Sequence, residues 1–124
     1  MPPADRAFSA LLDDLSTRGL LGETLVVWVG EFGRSPRVNG SAAGRDHWPK
    51  CYSAVLAGAS IRGGSLYGAS DKIAGAPAEN PVSPADLTAT MYHALGIDPQ
   101  GPVADRLGRE IALTEGTPLV RMFG

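Results

Sequence analysis

An α/β arrangement of two main helices, two or three strands and long Gly/Pro-rich loops is what this 124-residue sequence predicts. Three observations carry that expectation. An apolar stripe at helical spacing near the N-terminus leads into a short unbroken apolar run, Thr24-Leu25-Val26-Val27-Trp28-Val29. A second helical segment opens with a capping signature at Ser83. Glycine and proline punctuate most of the stretch from Gly30 to Pro84, which reads as long connections, and long connections in a compact domain are usually functional or disordered. Charged and aromatic residues interleaved with those glycines favour function.

The first helix is expected over Asp5 to Arg18. Phe8, Leu11, Leu12 and Leu15 fall at i, i+3, i+4 and i+7 on one stripe, the spacing of an amphipathic helix. Gly19 suits the C′ position because it accepts positive φ. The apolar run at Thr24 to Val29 is rich in β-branched residues and lies between Gly22 and Gly30. That is the pattern of a strand covered on both faces, as in a parallel sheet. Tyr52 to Ala57 is a second strand candidate, and Ser65 to Tyr67 a short edge strand. At Ser83 the hydroxyl supplies an N-cap, Pro84 fits N1 and Asp86 sits at N3. Gly96 stops that helix and Pro99 prevents its continuation. Beyond it, Gly101 to Gly124 reads as irregular, with a short strand at Glu110 to Leu113. So few elements make a thin layer, so a partner subunit or a missing N-terminal part is expected to complete it.

Composition excludes several classes. Eleven basic and thirteen acidic residues leave a formal charge of −2, which gives no reason to expect nucleic acid as a partner. No apolar run reaches the roughly 20 residues needed to span a bilayer. The single cysteine, Cys51, rules out an internal disulfide and a CxxC zinc knuckle, and is best read as a small buried hydrophobe.

Two segments carry candidate chemistry. Gly30-Glu31-Phe32-Gly33-Arg34-Ser35-Pro36 comes directly after the first strand, and ligands of open α/β sheets bind at the carboxyl ends of strands. Glu31 there is a candidate metal ligand or general base. Arg34 is a candidate anion clamp, since guanidinium grips phosphate or sulfate bidentately. The competing reading is a Glu–Arg ion pair that ties down the loop. In Gly44-Arg45-Asp46-His47-Trp48-Pro49, Asp46 and His47 are donor types suited to a divalent metal such as zinc, calcium or manganese, and Arg45 adds an anion contact. Against that stands a loop histidine bonded to backbone, with Trp48 packed as a plug. His93 and Asp71 are assigned structural roles, Asp71 as a turn cap, and Ser35 has no neighbouring base in sequence that would make it a nucleophile.

The order of these segments resembles the DUF1501 family. The resemblance rests on the Phe8–Leu15 run, Arg18-Gly19-Leu20-Leu21 and the two motifs above. Tyr67-Gly68-Ala69-Ser70-Asp71 and Pro84-Ala85-Asp86-Leu87 leading to Leu95-Gly96-Ile97 extend it. Residues 1–124 resemble the C-terminal portion of a family member. More distantly they resemble sulfatases of the alkaline phosphatase superfamily, which implies a partial sulfatase-like layer. That kinship implies metal-dependent hydrolysis of sulfate or phosphate esters in the whole protein. Its site residues here would be Glu31, Asp46 and His47 as metal ligands, with Arg34 and Arg45 on the anion. Sulfatases carry an Asp-His pair where this chain has Glu31-Phe32, and their nucleophile lies in segments that do not correspond to these residues. The chain is therefore expected to be inactive alone. The alternative is a module that binds an anion or a glycan without turnover, or a truncated relic. Family precursors often carry a twin-arginine export signal; this chain contains no address of its own.

Overall fold

The computed structural model describes residues 2–40 and 43–124. Its elements are mixed, two helices with short strands. Helix α1 spans Pro2–Thr17 and α2 spans Pro84–Ala94. The strands are β1 (Val26–Val29), β2 (Gly33–Arg34), β3 (His47–Trp48), β4 (Ala54–Ala57), β5 (Ala69–Ser70), β6 (Pro77–Glu79), β7 (Pro102–Ala104) and β8 (Glu110–Ala112). Among the described residues they form four two-stranded sheets, β1 with β4, β2 with β3, β5 with β6 and β7 with β8. The last three pairs are antiparallel.

Both expected helices form, and both end the same way. Gly19 (φ 71°) succeeds α1 and Gly96 (φ 73°) succeeds α2. At α1, Leu20 N–H donates to the Leu15 carbonyl and Gly19 N–H to Ser16. At α2, Ile97 N–H donates to Tyr92 and Gly96 N–H to His93. This pair of bonds around a left-handed glycine satisfies the last carbonyls of a helix. α1 starts three residues earlier than its apolar stripe suggests, because Pro2 and Pro3 are tolerated in a first turn, where N–H groups lack partners anyway.

The strands depart further from expectation. β1 is four residues long, half-buried over Val26–Trp28 and exposed at Val29, with β4 its one partner. A run expected to be covered on both faces is thus covered in part, because a second neighbouring strand is missing among the described residues. β4 begins at Ala54 rather than Tyr52. Ser65–Tyr67 is not a strand; pairing starts at Ala69, and Leu66 is 99% exposed. The expected strand at Glu110 is β8, and its partner β7 lies within the tail read as irregular.

The chain divides into two compact units. The first comprises Met1–Val26, Leu56–Gly64 and Ser83–Gly124. Its centre is α2, where Ala89 and Thr90 are fully buried. The N-terminus of α2 is a complete capping box: the Ser83 hydroxyl accepts from Asp86 N–H, and the Asp86 carboxylate accepts from Ser83 N–H at 2.9 Å. Such a cap stabilises by about 1 kcal/mol. The tail is then laced along the helix by side chains. Asp86 also accepts from Thr117 N–H at 2.8 Å, Thr114 Oγ1 donates to the Ala85 carbonyl, and Leu119 N–H donates to Thr90 Oγ1 at 3.0 Å. Gly116 is buried there, and any Cβ would collide with the Ala85 carbonyl group. Further on, Ile61 bridges Phe123, Gly124 N–H donates to Ser60, and the His93 ring meets Phe123 edge-on at 5.0 Å.

The second unit comprises Val27–Val55 and Ser65–Val82. It holds the β2–β3 and β5–β6 pairs and all five candidate site residues. Across it Trp48 Nε1–H donates to the Gly75 carbonyl at 2.7 Å.

Two tests address the first unit. Thr90→Val keeps the shape but leaves Leu119 N–H without its acceptor. The expected loss is about 1–3 kcal/mol, the cost of an orphaned, largely dehydrated donor, read from denaturant unfolding. Asp86 titrates below its ordinary value near 3.8, chiefly because the Ser83 hydroxyl, then Thr117 and Ser83 N–H, bond its ionised form. A depressed folded pKa gives stability that is complete above the unfolded value and lost as pH falls through the folded one. Unfolding free energy should therefore fall as pH drops below about 4, and Asp86→Asn should lessen that fall. Asp105, held low by the Arg109 N–H and guanidinium, contributes in the same direction.

Candidate functional site

The site begins with a clasp. Ser35 is 6% exposed. Its N–H donates to the Asp46 carbonyl at 3.0 Å, its hydroxyl accepts from Asp46 N–H at 3.2 Å, and the same hydroxyl donates to the Arg37 carbonyl at 2.8 Å. The first two bonds fasten Ser35 to Asp46, and the third ties the hydroxyl to its own side of the loop. The hydroxyl is thus engaged on both its donor and its acceptor side.

Immediately beyond the clasp, Arg34 pairs with His47 and Gly33 with Trp48. Residues directly opposite in an antiparallel pair share a face, and successive residues alternate. The ladder thus sets Arg34 and His47 on one side and Trp48 on the other. Gly33 has no spare room: a Cβ would overlap the Cys51 carbonyl oxygen and lie 3.2 Å from that of Trp48. The second glycine of the Gly-Glu-Phe-Gly-Arg motif is therefore required by a backbone crossing.

Phe32 is what gathers the charged groups. Its ring stacks on the His47 imidazole, centroids 3.9 Å apart and planes 25° from parallel. The Arg34 guanidinium carbon lies 5.2 Å from the same ring centroid, within cation–π range. Phe32 is half-buried while Arg34 and His47 are exposed. A guanidinium and an imidazole gathered on one aromatic ring and open to solvent can receive an anion. Sequence reading treated Phe32 only as a residue unable to ligate metal. The one trace of the stack in the sequence is the aromatic-x-Arg spacing beside a strand.

The other expected residues are placed separately. Asp46 Oδ1 accepts from Asn39 Nδ2 at 2.8 Å, a partner seven residues upstream that the sequence did not single out. Arg45 is exposed next to it. Glu31 is exposed two residues past the end of β1. Glu31, Asp46 and His47 have suitable donor atoms for zinc, calcium or manganese. Yet among the described residues no three His, Cys, Asp or Glu side chains form a group able to hold a metal ion. The donor types fit a metal; their arrangement does not assemble a set. Nor is any helix among those residues long and apolar enough to cross a membrane.

Comparison with known proteins adds one finding. A family model described as "Protein of unknown function (DUF1501)" matches residues 1–123. No curated protein and no solved structure matches.

Gly33→Ala tests the crossing on which the ladder depends. The forced shift should cost about 1–3 kcal/mol, as overpacking does. It should also remove the ring-current displacement that Phe32 imposes on the His47 ring protons in NMR spectra. Unchanged stability and unchanged His47 shifts would contradict the steric account.

Proposed function

Because the chain belongs to the DUF1501 family, and because its helix–strand order resembles that of sulfatases more distantly, we propose that it is the anion-holding part of a metal-dependent hydrolase of sulfate or phosphate esters. The observation that carries this reading is the Arg34–His47 pairing over the Phe32 ring. A guanidinium offers parallel N–H donors in a geometry that matches two oxygens of a tetrahedral anion. Opposite it, His47 adds an N–H donor and, when protonated, a second positive charge. Arg45, two residues before His47, supplies a further cation. Phe32 holds the imidazole and the guanidinium together at that position.

In this reading the 124 residues recognise the anion and do not cleave the ester alone. The nucleophile of sulfatases and their first metal-binding acid have no counterpart in these residues. Among the described residues Glu31, Asp46 and His47 do not form a group able to hold a metal ion, so this reading gives the chain no metal-dependent step of its own. A metal, if bound in the whole protein, would polarise ester oxygens and activate the nucleophile. Glu31 keeps its proposed place as ligand or base in that larger assembly. The Phe32–His47 stack favours a second reading, in which an anion or an anionic glycan is bound without turnover.

Calorimetric titration of the intact chain with inorganic sulfate and phosphate tests recognition. Binding that weakens by at least about tenfold in Arg34→Ala, the loss of one charge-assisted contact, supports the proposal. Absence of binding by the unaltered chain would overturn it. Titrating zinc, manganese and calcium into the chain and into His47→Ala tests the metal role independently. Hydrolysis of an aryl sulfate or phosphate by the chain alone would overturn the division of labour.

A further inference from the structure

The β2–β3 ladder contains two residue pairs, and an isolated two-stranded ribbon is marginal in water at much greater length. Something else must hold β3 in place. At one end the Ser35 clasp does so. At the other end the restraint comes from a segment more than twenty residues away.

That segment is the turn from Asp71 to Ala76, which joins β5 to β6. One carboxylate organises it. Asp71 Oδ1 accepts from Gly75 N–H at 2.7 Å and from Ile73 N–H at 3.2 Å. Asp71 N–H donates to the Ala76 carbonyl at 2.9 Å, and Ala74 N–H donates to the Asp71 carbonyl at 3.0 Å. Ala74 is held at φ 55°, a region costly for a residue with a Cβ. The turn therefore keeps this shape against a local preference. Its product is one aimed acceptor, the Gly75 carbonyl, which receives the Trp48 indole N–H at 2.7 Å. Trp48 is the residue after His47, so fixing the indole limits rotation and slippage of β3 and with it the imidazole.

We propose that Asp71 is a positioning residue for the anion site: through the Gly75 carbonyl and the Trp48 indole it holds the His47 ring on Phe32 and opposite Arg34. The anion half of this statement rests on the proposed function; the positional half does not. Asp71 touches none of the groups offered to the anion. Its effect passes through Trp48.

The test uses NMR spectra of the full chain and of Asp71→Ala, Asp71→Asn and Trp48→Phe, each titrated with sodium sulfate. In Asp71→Ala the Trp48 indole proton should exchange faster with water and the His47 ring protons should lose their Phe32-induced shift. Sulfate affinity should fall by about five- to tenfold, the equivalent of one hydrogen bond of ordinary net strength. Asp71→Asn keeps an acceptor oxygen and should restore all three readings. Trp48→Phe should lower affinity as Asp71→Ala does while leaving the amide signals of residues 72–76 in place. If Asp71→Ala fails to fold, the Asp71→Asn and Trp48→Phe pair still decides. Unchanged His47 shifts in Asp71→Ala, or normal His47 shifts in Trp48→Phe, would overturn the proposal. Should the unaltered chain not bind sulfate, the function proposed above fails, and the His47 and indole signals alone judge the role of Asp71.

Discussion

The backbone clasp between Ser35 and Asp46 is the constraint on which the site depends. It is a small device, made of one side chain and three backbone groups, but it fixes register. With Ser35 fastened to Asp46, Arg34 has His47 opposite and Gly33 has Trp48 opposite. The electrostatic arrangement is then set by Phe32, the residue next in line. The ring is an apolar partner that the imidazole and the guanidinium share. Interaction energies here are individually modest, because Arg34 and His47 face water. Their value lies in preorganisation, since a receptor already arranged loses less freedom when its ligand arrives.

The two units are stabilised by different means. Around α2, polar side chains satisfy the backbone of a tail that has little regular structure. Thr90, Asp86 and Thr114 bond to Leu119, Thr117 and Ala85. Each of these bonds replaces water at a peptide group that would otherwise be costly to cover. Around β2 and β3, two extended pieces too short to stand alone are held by a serine, a tryptophan and an aspartate turn.

Helices were legible in the sequence because their signals are local. Ser83, Pro84 and Asp86 specify a cap within four residues, and Gly19 and Gly96 mark the ends whatever surrounds them. Strands of two to four residues carry no such periodicity, and their pairing is decided at a distance. Nothing near Ala69 announces Pro77–Glu79 as its partner; the Asp71 turn creates that pairing, and the Ser65–Tyr67 expectation missed it. The candidate site was legible as residue types and as neighbours in sequence. Adjacency of Asp46 and His47 suggested a common target, whereas the ladder directs the imidazole to Phe32 and Asn39 takes the carboxylate. Asn39 escaped notice, and Phe32 was weighed only as a residue that cannot ligate, because the roles of both come from the fold of the loop.

The alternation along β3 has an evolutionary consequence. Residues 36–45 leave the clasp and return to it, so that excursion can gain or lose length without disturbing the strand downstream. Between Asp46 and Trp48 a single inserted or deleted residue would reverse parity, sending an indole where the imidazole now sits. Kin of this chain are thus free to differ in the size of the loop, but a frame of odd and even positions is imposed on the three residues that close it.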